Sequence, residues 1–107
     1  VAAGKYHDID FARLELLKLL AEEPHLRTTV AASYADIDLI AQAGILITYT
    51  CDLVPDPAQT RALAEWLEQG GRWIALHGTN SVLQFASDGT VETPDTAPDF
   101  MRLLGTR

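Results

Sequence analysis

The chain has 107 residues, a formal net charge of −7 and 48% hydrophobic residues, the profile of one domain with enough apolar material for a core and no compositional sign of disorder. So acidic a balance argues against nucleic acid or an anionic membrane surface as partner, because both select a basic face that displaces counterions. The lone Cys51 excludes an internal disulfide and fits a reducing, cytoplasmic location, and no apolar run reaches membrane-spanning length.

In chain order, Val1, Ala2 and Ala3 read as the end of a strand whose beginning is missing, followed by a turn at Gly4 and by Lys5, Tyr6, His7 and Asp8. Asp8 to Glu22 reads as a helix capped by Asp8 or Asp10, with Phe11, Leu14, Leu17 and Ala21 on its apolar stripe and Leu16, Leu19 and Leu20 widening it. Pro24 ends it. Leu26 to Ala31 is expected to be a second strand, and the Ser33-x-x-Asp36 pattern to open a short helix running to about Gln42 and closed by Gly44.

Ile45 to Thr50 is expected to be a third strand ending at Cys51 and Asp52. Asp56 as N-cap, Pro57 as first helical residue and Gln59 reaching back form a strong helix start, and Ala58, Ala62, Leu63, Trp66 and Leu67 line one face. Gly70 and Gly71 stop that helix. Trp73 to Leu76 is an apolar run without alternation, expected of a strand covered on both faces, and polar chemistry begins abruptly at His77. Ser81 to about Ala86 is expected to form one or two helical turns, Asp88 to Pro98 a surface excursion, and Asp99 to Leu104 a further helix. This alternation predicts an α/β domain with a doubly wound, mostly parallel sheet. Because it begins in mid-strand and ends in mid-connection, the chain reads as one partial domain over residues 1–107, truncated at both ends, with an uncovered sheet edge that favours self-association.

Ligands of such sheets sit beyond the carboxyl ends of the strands. His7 and Asp8, Cys51 and Asp52, and His77, Thr79 and Asn80 all fall there. Imidazole suits proton transfer near neutral pH, so His77 and His7 are the candidate acid/base groups, with Asp8 either orienting an imidazole or serving only as a helix cap. Tyr6, Asp52, Thr79 and Asn80 are the candidate substrate-binding residues. His7, His77 and Asp8 have donor chemistry suited to zinc, but their spacing is not a metal signature and no metal site is assigned. No Gly-x-Gly-x-x-Gly or Gly-x-x-x-x-Gly-Lys-Ser/Thr motif is present; the cofactor stays open, a flavin included. Cys51 reads as a small buried residue and His25 as surface.

Several segments together resemble the trehalose-utilisation (ThuA-like) family: Gly4-Lys5-Tyr6-His7-Asp8, Thr48-Tyr49-Thr50-Cys51-Asp52-Leu53, Gln59 with Ala62-Leu63, Gly70-Gly71-Arg72-Trp73, Ala75-Leu76-His77-Gly78-Thr79-Asn80-Ser81, and Leu103-Leu104-Gly105. The resemblance implies a class I glutamine amidotransferase-like fold of flavodoxin-like type and a sugar or sugar derivative as small-molecule ligand. It also implies that His77 stands at the elbow where amidotransferases carry their cysteine nucleophile, so hydrolysis of glutamine through a thioester is not expected. Three functions are weighed: an enzyme acting on a sugar through its histidines, a non-catalytic carbohydrate-binding or regulatory module, and a degenerate amidotransferase-like subunit acting by association. Strands one and four are expected to lie side by side, bringing His7 and His77 into one cleft.

Overall fold

The computed structural model describes residues 1–106. Its elements are β1 (Ala2–Gly4), α1 (Ile9–Ala21), α2 (Ile37–Ala41), β2 (Ile45–Cys51), α3 (Pro57–Glu68), β3 (Arg72–Leu76), a 3-10 turn (His77–Asn80), β4 (Gln84–Phe85), β5 (Val91–Glu92) and α4 (Pro98–Leu103). Among the described residues β1, β2 and β3 form a three-stranded parallel sheet in that order, and β4 and β5 an antiparallel hairpin. The chain is an α/β protein.

The local signals that start α1 and α3 act as expected. Asp8 Oδ1 accepts from the Phe11 N–H at 2.9 Å, and Asp10 instead takes the Arg13 guanidinium. At α3 the capping box closes in both directions, Gln59 N–H to Asp56 Oδ1 at 2.8 Å and Asp56 N–H to Gln59 Oε1 at 3.0 Å, with Pro57 at the first helical position. At α2 the Ser33-x-x-Asp36 pattern does not open the helix: the Asp36 carboxylate accepts from the Ala32 and Ser33 amides and Ser33 Oγ from the Ala35 amide, forming a turn, and the helix begins only at Ile37, after Asp36.

Alternation along β2 decides where the core lies. Leu46, Thr48 and Thr50 are buried, while Ile47 and Tyr49 point to the other face and are half-buried. On the core side Leu46 packs in one cluster with Tyr34, Ile40, Leu63, Trp66, Phe100 and Met101. The Trp66 indole N–H is satisfied by the Ala43 carbonyl at 2.8 Å, and Trp66 is core as expected.

Five further expectations give way, each for a physical reason. Leu26–Ala31 is not a strand. The outward carbonyl of Ala2, which such a strand would need, is taken by the Arg13 guanidinium at 2.8 Å, and β1 is only three residues long. The same bond turns Arg13 inward, so α1 presents Ala12, Arg13, Leu16, Leu17 and Leu20 to the domain and leaves Phe11, Leu14 and Leu19 at least half exposed. Strand β3 is an edge rather than a strand covered on both faces: Ile74 is 48% exposed and Trp73 only half-buried. The first and last parallel strands are not neighbours, because β2 pairs with both. The segment after Ser81 is not helical. Asp88 accepts the Thr90 amide and hydroxyl and Gly89 takes φ +84°, an Asp-Gly turn that folds the chain into the β4–β5 hairpin.

Gly71 ends the α3–β3 connection under the Trp66 ring. A Cβ there would lie 2.3 Å from the indole, whereas at Gly44 it meets nothing within 4 Å. Gly71→Ala should therefore lower stability by about 1–3 kcal/mol, the cost of overpacking a fixed ring, with Gly44→Ala within about 0.5 kcal/mol of the parent. Urea midpoints of the two variants check the contrast.

Candidate functional site

The carboxyl edge of the sheet gathers one turn from each parallel strand. In register, Tyr49 of β2 is matched to Ala2 of β1 on one side and to Leu76 of β3 on the other. Strand β3 ends at that level, β1 runs on to Gly4 opposite Cys51, and the turns that follow both strands lie at the same end of β2. His7 and His77, 70 positions apart, meet there with their Nε2 atoms 3.0 Å from each other and ring centroids 4.4 Å apart. The two rings meet, by spanning β2 rather than by adjacency of their strands, and they do so on an exposed edge. Tyr49 supports the pair: its ring stacks on His77 at 5.5 Å and 12° and meets His7 edge-on at 6.1 Å.

At 3.0 Å one imidazole Nε2 carries the proton and donates while the other accepts. Both histidines are exposed, so a ligand hydroxyl that displaces this bond meets one donor and one acceptor at a single point.

The backbone beneath is unusual. Among the described residues, the non-glycine residues with positive φ are Tyr6 (+66°), Asp52 (+52°) and His77 (+50°), one after each strand of the parallel sheet. Left-handed backbone at a side-chain-bearing residue is costly and needs outside support. Support for His77 comes from Thr79, whose hydroxyl donates to the Leu76 carbonyl at 2.8 Å and lies 3.0 Å from the Thr48 hydroxyl. Thr48 in turn accepts from the Trp73 indole at 2.9 Å. Gly78 completes the turn by close approach, since a Cβ there would fall 2.9 Å from the Thr50 carbonyl oxygen.

The other candidates fall in different places. Asn80 and Tyr6 are exposed on the same edge. Thr79 is 2% exposed and its hydroxyl is engaged inside the turn, where it positions backbone. Asp8 caps α1. Asp52 accepts from Lys5 Nζ at 2.7 Å and from the Leu83 N–H at 3.2 Å, with its side chain 14% exposed, so it joins the turn after β1 to the segment leading into β4. Cys51 is buried and free. Among the described residues no three His, Cys, Asp or Glu side chains are grouped to hold a metal ion, and no helix is long and apolar enough to cross a membrane.

Two residues of this edge were missed in the sequence. Tyr49 was visible only as part of a family-like string, although the alternation of Ile45, Ile47 and Tyr49 on one face of a strand places its ring at the ligand end. Phe85, whose ring centroid lies 5.6 Å from that of Tyr6, was hidden by the expectation of helix after Ser81. A cavity of about 490 Å³ also opens beside the amino-terminal half of β2, between α1 and residues 26–31, away from the histidines. Comparison of the chain with protein-family models, curated proteins and solved structures gives no significant match.

The Lys5 ammonium beside Asp52 is the main reason its carboxyl is held below the usual carboxylate range. A depressed folded-state value adds stability that is present above the unfolded pKa of about 3.9 and disappears as pH falls through the folded value. Asp52→Asn should therefore lower the melting temperature at pH 7 and narrow its gap to the parent as the pH approaches 2. Melting curves across that range test it.

Proposed function

We propose that the chain is a ThuA-like domain of the doubly wound, flavodoxin-like, class I glutamine amidotransferase-like type, which binds a sugar or sugar derivative at the carboxyl edge of its sheet and moves a proton through His7 and His77. The observation that carries this reading is the 3.0 Å contact between two Nε2 atoms contributed by turns 70 residues apart. The parallel order of the strands, the sharp passage from β3 into a 3-10 turn at His77 and the family-like strings around both histidines support it. A sugar hydroxyl inserted between the rings would give its proton to the imidazole with the free lone pair. The other imidazole would keep its N–H and donate it as a hydrogen bond to the resulting oxyanion, so the pair acts as base and oxyanion stabiliser in one step. Tyr49, stacked on His77, fixes the plane of that ring.

A second reading, binding without turnover, is favoured by one observation: Asp8, the expected orienting carboxylate, is engaged as the cap of α1, and neither imidazole is hydrogen-bonded to a carboxylate among the described residues. The partner in both readings is a small sugar-like molecule. Self-association through the uncovered edge of β3 remains part of the proposal.

The test is an NMR titration of the ¹⁵N-histidine-labelled chain with glucose, methyl glucoside and trehalose, followed by a search for new product signals. His77→Asn preserves a residue tolerant of left-handed backbone. It should weaken sugar binding at least about tenfold, equivalent to 1.4 kcal/mol, while changing stability by less than about 1 kcal/mol, because an exposed side chain fills little of the core. Product signals select the enzyme, and binding without them selects the module. If none of the sugars moves either imidazole, the proposal fails.

A further inference from the structure

The geometry points to a second contact surface on this edge: an aromatic wall of Tyr6 and Phe85 that receives the apolar face of one pyranose ring while the histidines hold the next ring of a disaccharide. This inference rests on the sugar-binding reading above and adds to it a subsite and a preference for two rings over one.

Tyr6 is 57% and Phe85 53% exposed, yet their rings face each other at 5.6 Å and 55°, within the range of favourable aromatic pairs. Neither ring is part of the core. Tyr6 sits in left-handed conformation (φ +66°) immediately before His7, so the turn that aims the imidazole also aims this ring. Phe85 is carried by β4, which pairs with β5 through Val91 and is closed by the Ala86 N–H to Thr90 carbonyl bond at 2.9 Å.

Asp52 sets the separation of the two carriers. Its carboxylate binds Lys5, the residue before Tyr6, and the amide of Leu83, two residues before Phe85, while its own N–H donates to the Ser81 carbonyl at 3.2 Å. Tyr6, Phe85 and the histidine pair are thus tied to one rim rather than scattered over the surface. Two exposed aromatic rings bordered by Lys5 and Asp52 make a small apolar patch with a charged margin. A pyranose has the matching form, an apolar face of C–H groups and a rim of hydroxyls, and binding sites of this kind combine an aromatic surface with a few polar groups that fix orientation. A patch of only two rings is small for a protein partner, whose interface takes some 20–30 residues a side.

The experiment compares trehalose, which has two rings, with methyl glucoside, which has one, in titrations of the 107-residue chain followed by histidine ¹⁵N and aromatic ¹³C signals. The parent should bind trehalose at least about tenfold more tightly than the glucoside, since a second subsite adds about 1.4 kcal/mol for each tenfold. Phe85→Ala should bring trehalose down to the glucoside's affinity without changing the glucoside, and Phe85→Tyr should restore the difference. Equal binding of the two sugars by the parent, or an equal loss for both in Phe85→Ala, overturns the wall as a subsite. If trehalose shifts the Tyr6 and Phe85 rings but leaves both imidazoles unmoved, the wall stands and the histidine reading falls; if it shifts neither set, both fall.

Discussion

Strand β2 is hydrogen-bonded in parallel on both edges, and the placement of every candidate residue depends on that double ladder. A parallel pair exits on one side, so Ala2 and Leu76, both matched to Tyr49, deliver their following turns to the same end of the sheet. Had either neighbour run antiparallel, its turn would have opened at the opposite end, and His7 and His77 would be separated by the length of β2. The two imidazoles meet because of this shared register, and Tyr49 lies under them because it is the residue to which both outer strands are matched.

The core face of the same strand is less simply satisfied. Thr48, Thr50, Thr79 and Tyr34 are all buried, and burying hydroxyls is unfavourable unless they are hydrogen-bonded. Thr48 and Thr79 meet that demand with the Trp73 indole and the Leu76 carbonyl, and in doing so they brace the turn that holds His77. Tyr34 does not. Its hydroxyl and Thr50 Oγ1 have no partner at hydrogen-bond geometry, and burial pushes the phenol up to about 12, although the Thr50 and Thr48 hydroxyls are near enough to temper the rise. The polar chain therefore contributes order where it reaches the site turn and works against stability farther back.

What the sequence revealed follows from how local each signal is. The Asp56-Pro57-Gln59 start of α3 and the Asp8 cap of α1 depend on atoms three residues apart, and both form as read. The convergence of His7 and His77 was legible because it needs only two parallel strands and a common edge, not their adjacency. Leu26–Ala31 has the β-branched composition of a strand, but strand propensity is realised only against a free edge, and the carbonyl it needed is bound by Arg13, a contact across 11 residues that no local pattern encodes. The phase of α1 was missed for the same reason, since hydrophobicity alone places Phe11 and Leu14 inward and an arginine outward. Phe85 was lost differently: it falls in the stretch expected to be helical, and Asp88-Gly89, a recognisable hairpin turn, falls in the stretch expected to be only a surface excursion.

The strained residues connect these observations. Tyr6, Asp52 and His77 each take up left-handed backbone at the exit of a parallel strand, where glycine would be accommodated at lower cost. Strain of this kind, of order 1–3 kcal/mol per residue, persists only where surrounding contacts overdetermine it, and each of the three has such contacts: the Tyr6 ring on Phe85, the Asp52 carboxylate on Lys5 and Leu83, the His77 ring on Tyr49 and His7. In every case part of the support is made by the side chain a glycine would lack, joined at His77 by the Thr79 hydroxyl on the Leu76 carbonyl. The edge is thus built from side chains held in place against backbone preference, each toward a partner from another segment of the chain.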